Sequence, residues 1–255
     1  MKSYEPDWPD RCGIVGEGYE CVLVVYITFP IDGNQTMEQI TVFINSFNLL
    51  TWPRKMATYL EQIPNLRIIF VDNNSNYPPL LDFFNNCPYE VVRLDKNLGH
   101  RAPWTCGAVG KYAGDYYIVT DPDLDLTSIP LDVIDVLMEG MNELDAFKCG
   151  LSLEINDIPE SCPLRDKIIS WENNFWRKKA NTRFFYADID TTFALYNKHS
   201  KSSRSQYRAD RPYTALHMPW YVTEENMEED FLYYLMTAND CSSWGKLIRG
   251  KYGIY

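Results

Sequence analysis

The chain has 255 residues, a formal net charge of −11 and 45% apolar residues. That length suits one large α/β domain or two small ones, and the apolar share is enough for a substantial core. An acidic balance disfavours a nucleic-acid partner, which calls for a basic face, yet it leaves room for a phosphorylated ligand bridged by a divalent cation. The longest apolar stretch, Cys21–Ile27, is too short to cross a bilayer, and Met1–Glu20 lacks the basic-then-apolar order of a signal peptide. No transmembrane segment is expected, and the chain reads as soluble and cytoplasmic. Its seven cysteines contain no Cys-x-x-Cys spacing, so free thiols in a reducing compartment are expected rather than a zinc module or disulfide scaffold.

Residues 1–20, with Pro6, Pro9, Gly13, Gly16 and Gly18, read as an irregular lead-in to a single domain over 21–255. Cys21–Phe29 has the continuous Val- and Ile-rich character of a strand buried on both faces. Thr36 with Gln39 forms a capping box, and Ile40, Phe43, Ile44 and Phe47 recur behind it at helical spacing, which predicts a helix. A second helix follows Pro53 and ends near Gln62. Leu66–Val71 is a buried strand closing on Asp72 and the polar turn Asn73–Asn76. Pro78–Asn86 suits a short helix, Tyr89–Leu94 a third strand, and Asp95–Arg101 a loop before a helix opening at Pro103. Asp115–Thr120 is the fourth strand, closed by Asp121-Pro122-Asp123.

Beyond Pro130 the pattern is less regular. Leu131–Met141 suits a helix and Ala146–Ile155 a strand. Leu164–Lys179 reads as a long amphipathic helix carrying Trp171, Glu172 and Trp176. Phe184–Tyr196 reads as strand, turn, strand around Asp188–Thr192, and Lys198–Arg211 as a basic, Ser-rich, mobile loop. The remainder holds His217-Met218-Pro219-Trp220-Tyr221 and an acidic helix over Glu224–Thr237.

Strands alternating with helices imply a parallel sheet with right-handed crossovers, and ligands of such sheets sit beyond the carboxyl ends of the strands. Thr28, Asp72, Asn97 and Asp121 all fall at or just past predicted ends. Two carboxylates one residue apart, Asp121 and Asp123, are hard oxygen ligands suited to Mg²⁺ or Mn²⁺, and such an ion neutralises a diphosphate. Other α/β nucleotide binders fail on sequence. Gly107–Lys111 is too short for a P-loop, with Tyr112 where a hydroxyl ligand of magnesium would stand. There is no Gly-x-Gly-x-x-Gly after the first predicted strand and no Gly-x-Ser-x-Gly elbow.

Taken in order, these segments resemble family 2 glycosyltransferases. Val22–Phe29 resembles their first strand, Ile69–Ser75 their Val-Asp-Asp-Gly-Ser turn, Asn97-Leu98-Gly99 their Asn-x-Gly loop, and Asp121-Pro122-Asp123 their Asp-x-Asp. The resemblance covers residues 21–126 and implies a GT-A fold: a Rossmann-like α/β architecture with a mainly parallel central sheet flanked by helices. Residues 21–126 would form the nucleotide-sugar-binding half and 127–255 the acceptor-binding half. It also implies transfer of a sugar from a nucleotide-diphosphate donor, UDP-sugar favoured, to a carbohydrate or glycoconjugate acceptor. By position, Thr28, Asp72 and Asn73 would line the nucleoside pocket, and Asn97 and Gly99 would shape the loop beside base and ribose. Asp121 would reach ribose or metal, and Asp123 would bind the metal. The second half resembles such enzymes less specifically; many GT-A enzymes use a late His as a further metal ligand, and His217 is the candidate, which favours Mn²⁺ over Mg²⁺. Two departures stand out: Asn73 replaces the second turn Asp, and Pro103-Trp104-Thr105 replaces Ala-Arg-Asn. Arg101 is the nearest basic residue and could pair with the diphosphate.

Inverting transfer needs a carboxylate to take the acceptor proton. Asp190, in a polar turn, is the first candidate, and Glu172, flanked by tryptophans that could stack on a sugar, the second. The acidic run Glu224–Asp230 holds a third. Front-side attack, without a base, would give retention instead. Rival expectations are a non-catalytic carbohydrate- or nucleotide-sugar-binding module and a sugar-phosphate nucleotidyltransferase. The latter wants a basic Gly-rich loop near the first strand, which Phe29–Gln35 lacks.

Overall fold

In the computed structural model, which describes residues 39–200, 202–238 and 250, the first element is a strand, β1 (Ile40–Ser46). It lies in parallel register between β2 (Leu66–Asp72) and β4 (Tyr116–Thr120), with Ser46 opposite Asp72 and Ile44 opposite Thr120. The helix predicted over Ile40–Phe47 is therefore corrected to a strand. Ile40, Thr41, Val42 and Ile44 are β-branched and favour extended backbone. Val42 and Ile44 are buried on one face of the sheet and Phe43 on the other, and a run apolar on both faces carries no usable period. The lead-in, the strand predicted at Cys21–Phe29, Thr28 and Thr36 lie outside the described residues. The described residues belong to one unit beginning at Met37.

The other predicted elements of this half are present. They are α1 (Thr51–Leu60), α2 (Pro78–Asn86), β3 (Glu90–Arg93) and two short helices, α3 (Ala102–Thr105) and α4 (Ala108–Tyr112). After β4 come β5 (Leu124–Asp125), α5 (Val133–Glu143), β6 (Lys148–Gly150), β7 (Ser152–Leu153) and α6 (Arg165–Glu172). Among the described residues there follow β8 (Phe184–Tyr186), β9 (Ala194–Asn197), β10 (Gln206–Ala209), β11 (Thr214–His217) and α7 (Glu229–Thr237).

Eight strands form the main sheet in the order β3-β2-β1-β4-β9-β6-β10-β8, and β5-β11-β7 form a second, smaller one. β1 to β4 are mutually parallel, β9 runs against both its neighbours, β10 is parallel to β6, and β8 closes the edge antiparallel. This is the α/β class expected, with a mainly parallel central sheet. One face packs on α1, α2 and α5 through Val42, Phe70, Ile118, Met56, Leu80 and Leu137. The other carries Phe43, Val71, Tyr117, Val119 and Tyr196 under α3 and α4.

Four expectations in the second half are corrected. The strand predicted over Ala146–Ile155 breaks at Leu151, whose N–H bonds to Phe193 O, and its halves enter different sheets. The helix predicted to Lys179 ends at Glu172 and continues as a 3₁₀ turn over Asn173–Trp176. β8 and β9 are separated by β10 and β6, so the segment between them is a crossover, not a hairpin turn. The predicted mobile loop Lys198–Arg211 contains β10, whose Gln206, Arg208 and Ala209 are buried. No helix among the described residues is long and apolar enough to cross a membrane. Cys87, Cys106, Cys149 and Cys162 are free thiols.

Candidate active site

The carboxyl ends of β2, β1 and β4 lie side by side, and because β9 is antiparallel, its start arrives at the same edge. Asp72 is fully buried at the end of β2. Its Oδ1 accepts the Ser75 N–H at 3.0 Å, and its Oδ2 pairs with Arg93 Nε at 3.1 Å at the end of β3. Beside it, Asn73 donates from Nδ2 to Asn45 Oδ1 at 2.6 Å, while its Oδ1 accepts the Leu98 N–H at 3.0 Å. Asn45 in turn donates to Gly99 O at 3.3 Å. Asn97 Oδ1 accepts the Gly99 N–H at 2.8 Å, and Gly99 adopts φ +75°, a conformation that a side chain would strain. Sequence reasoning missed Asn45. The strand between β2 and β4 ends in Asn45-Ser46, the place in the sheet expected for Thr28. The polar pair Asn45-Ser46, directly after an apolar stretch, was the available signal.

Asp121 and Asp123 stand past β4, and β4 is separated from β2, which carries Asp72, by one intervening strand, a strand-to-strand spacing of about 10 Å. Both side chains are partly buried. Asp121 N–H bonds to Thr191 O at 2.9 Å, and Thr191 Oγ1 donates back to Asp121 Oδ2 at 2.8 Å. Burial and the nearby Asp123 charge push Asp121 up to about 8, with Asp190 adding to the rise and the Thr191 hydroxyl opposing it. Asp123 meets His217 from β11: its Oδ2 lies 3.5 Å from His217 Nε2, and its backbone O accepts the Met218 N–H at 2.9 Å. The His217 ring packs against Trp220 at 4.7 Å between centroids. Burial lowers the His217 pKa, against the pull of Asp123, so the neutral imidazole that can ligate a metal is favoured.

Asp123 Oδ1 and His217 Nδ1 are among the buried polar atoms here with no hydrogen-bond partner, as are Trp220 Nε1, Thr192 Oγ1 and Ser46 Oγ. A buried orphan atom costs free energy unless a ligand satisfies it. With like charges crowding Asp121, this donor set fits a divalent cation. It is a small set. Among the described residues, no three His, Cys, Asp or Glu side chains converge at ligating distance. One carboxylate with one imidazole suits an ion that completes its shell with phosphate oxygens and water.

The base candidates fall in different surroundings. Asp190 is exposed and immediately precedes Thr191, within electrostatic reach of Asp121. Glu172 is buried and paired with Arg208 at 3.1 Å, so its carboxylate is already committed. Burial raises its pKa, opposed by Arg208. Trp171, beside it, is 59% exposed. In the acidic run, Asp230 is buried and accepts the backbone N–H groups of Leu50 and Thr51 at 2.7 and 2.6 Å. Arg101 is exposed, at the end of a 3₁₀ turn following Asn97 and Leu98.

No protein-family model matches the chain, and no curated protein matches it in sequence. Among solved structures it is similar to S. aureus TarS 1-349, with 12% identity, a TM-score of 0.45, and coverage of 82% of this chain and 69% of that one. It is similar also to GalNAc-T7 crystallised with UDP, GalNAc and Mn²⁺, at 12% identity and a TM-score of 0.48, covering 87% of this chain and 55% of that one. The chain spans 42% of the longer S. aureus TarS structure.

Proposed function

We propose that this protein is a metal-dependent glycosyltransferase of GT-A type, moving a sugar from a nucleotide-diphosphate donor to a carbohydrate or glycoconjugate acceptor. The observation that carries the reading is the alignment, along one carboxyl edge, of two differently built ends. A hydrogen-bonded polar cluster of Asn45, Asn73 and the Gly99 loop, with Asp72 beside it, lies at one. Asp121, Asp123 and His217 lie at the other, two strands away. That span suits a nucleoside diphosphate lying across the strand ends.

In this reading the nucleoside rests against Asp72, Asn73 and the Asn97–Gly99 loop, with UDP favoured over GDP. Asp123 and His217 would hold the cation, Mn²⁺ favoured over Mg²⁺, beside Asp121. When bound, that ion supplies positive charge to the departing diphosphate. Thr191 keeps Asp121 oriented. Asp190 takes the proton of the acceptor hydroxyl and gives inversion. Asp190 is preferred to Glu172 because it is exposed at the edge, whereas Glu172 is buried against Arg208. Trp171, 59% exposed beside Glu172, is a ring on which an acceptor sugar could stack.

The test is binding followed by turnover. UDP with Mn²⁺ should raise the melting temperature of the wild type, and neither alone should match the pair. Asp123→Ala should keep the circular dichroism spectrum and lose both the Mn²⁺-dependent shift and transfer. Full activity of that variant with its true donor would remove the metal assignment. Asp190→Asn should slow transfer by roughly 10²-fold or more with donor binding unchanged, the usual size of a lost general base. Equal loss of both would move the base elsewhere. UDP binding with no transfer to any acceptor would instead favour a nucleotide-sugar-binding module.

A further inference from the structure

The crossover from β8 to β9, residues 187–193, has no helix or strand of its own, yet it passes over β10 and β6 on the face of the sheet. Gly150 makes the passage possible. A Cβ there would meet Phe193 O at 2.7 Å and the Ile189 side chain at 3.1 Å. Buried backbone groups must find partners, and an irregular segment has no ladder to supply them. Here backbone bonds hold its two ends, Ala187 N–H to Gln206 O and Thr191 O and Phe193 O to the N–H groups of Asp121 and Leu151, and side chains from the sheet beneath serve the middle. Arg208 Nε donates to Asp188 O at 2.7 Å, Lys148 Nζ donates to Ile189 O, and Gln206 Oε1 accepts the Ile189 N–H at 3.0 Å. The two carbonyls gripped are consecutive, and the next residue is Asp190.

Both cations are almost wholly buried, Lys148 at 2% exposure and Arg208 at 3%. Burying two cations is costly, and well-packed apolar residues often serve stability as well or better. Their arrangement has a directional logic that packing alone would not require. Arg208 is matched by Glu172, and the electrostatic field of Asp190 acts on Lys148, partly offsetting its burial. We infer that Lys148 and Arg208 are positioning residues, which clamp the 187–193 crossover so that Asp190 and Thr191 meet the Asp121 edge in one register. The clamp itself follows from the contacts; its importance for turnover rests on the transferase reading above.

Two measurements separate these. In Lys148→Met, hydrogen–deuterium exchange over residues 187–193 should rise by roughly tenfold or more, while exchange in β1 and β2 stays unchanged. Transfer at saturating donor should fall by about 10- to 100-fold, as misplacement of a reacting group does, with the Kd for UDP and Mn²⁺ within about twofold of wild type. Lys148→Arg, which keeps a charged donor, should recover part of both losses. If Lys148→Met does not fold, Gln206→Leu removes the acceptor for the Ile189 N–H and carries the same comparison. Unchanged exchange over 187–193 in a folded variant overturns the clamp. Parallel loss of turnover and UDP binding, or raised exchange with unaltered turnover, overturns the positioning role. If the wild type transfers no sugar, the transferase reading falls, and exchange still decides whether the cations hold the crossover.

Discussion

Asn45 shows how much one small side chain can organise at the end of a strand. It accepts from Asn73 Nδ2 and donates to Gly99 O, so it links β1, β2 and the loop that follows β3. Truncating it leaves Asn73 short of an acceptor in a buried place, which costs about 1–3 kcal/mol. On the proposed function, in which the loop would hold the donor in ground state and transition state alike, Asn45→Ala should raise the donor KM by roughly fivefold to tenfold and leave turnover within about twofold. Steady-state kinetics against donor concentration check this. A fall in kcat with unaltered KM would place Asn45 near the reacting atoms instead. The contrast with Lys148 is useful: one side chain is expected to act on binding, the other on turnover.

At the scale of elements, α1 depends on a residue far along the chain. Its N-cap position, Leu50, offers no side-chain hydrogen bond, and its first N–H groups are met by Asp230 at the start of α7, 180 residues away from Leu50. A carboxylate at a helix N-terminus satisfies orphan donors and opposes the positive end of the helix dipole. Asp230→Ala should lower stability by about 1–3 kcal/mol, seen as a reduced midpoint in urea. Glu225→Ala, an exposed neighbour in the same acidic run, should stay within about 0.5 kcal/mol. Equal effects would show that the run acts through net charge and not through this cap. Such a contact explains the limits of the sequence. β2, α2 and β4 were legible because local signals bound them: apolar runs closed by Asp72 and Asp121, and Pro78 opening a helix. β1 was misread because its apolar residues serve both faces of the sheet. β10 was misread because its burial is satisfied by ions and amides: Arg208 has Glu172 and Gln206 has the Ile189 backbone. That Asp121, Asp123 and His217 serve one site was an expectation of the sequence, and of the three Asp123 and His217 lie 3.5 Å apart. The tie of Asp121 to Thr191, and of Asn73 to Asn45, was not foreseen, since hydrogen bonds between distant segments leave no local pattern.

For the molecule as a whole, one tie between the smaller sheet and the larger is the Glu154 carboxylate; another is the Ser152 hydroxyl of β7, which donates to Ala209 O of β10 at 2.6 Å. Glu154, just past β7, receives both Nε and a terminal nitrogen of Arg211 at 2.8 and 2.7 Å, and Arg211 follows β10 of the main sheet. The same carboxylate accepts the N–H groups of Ile155 and Asn156 and the Thr214 hydroxyl. Burial alone would raise its pKa, but the Arg211 guanidinium and the two backbone donors bring it down to about 2. A carboxyl whose pKa is lower folded than unfolded binds its proton more weakly in the native state. Its contribution is complete above the unfolded value and disappears as acid takes the pH through the folded one. The window runs from the ordinary value of 4.5 down to about 2. Arg211 is 39% exposed, so water screens the pair, and about 1–2 kcal/mol is expected from this site. Glu154→Gln should remove that contribution at neutral pH, and the gap between the two stability curves should narrow steadily below pH 4.5. Urea unfolding at several pH values from neutral to acid measures it. A gap that stays constant over that window would mean that the two sheets are held together by packing, with the ion pair an accessory.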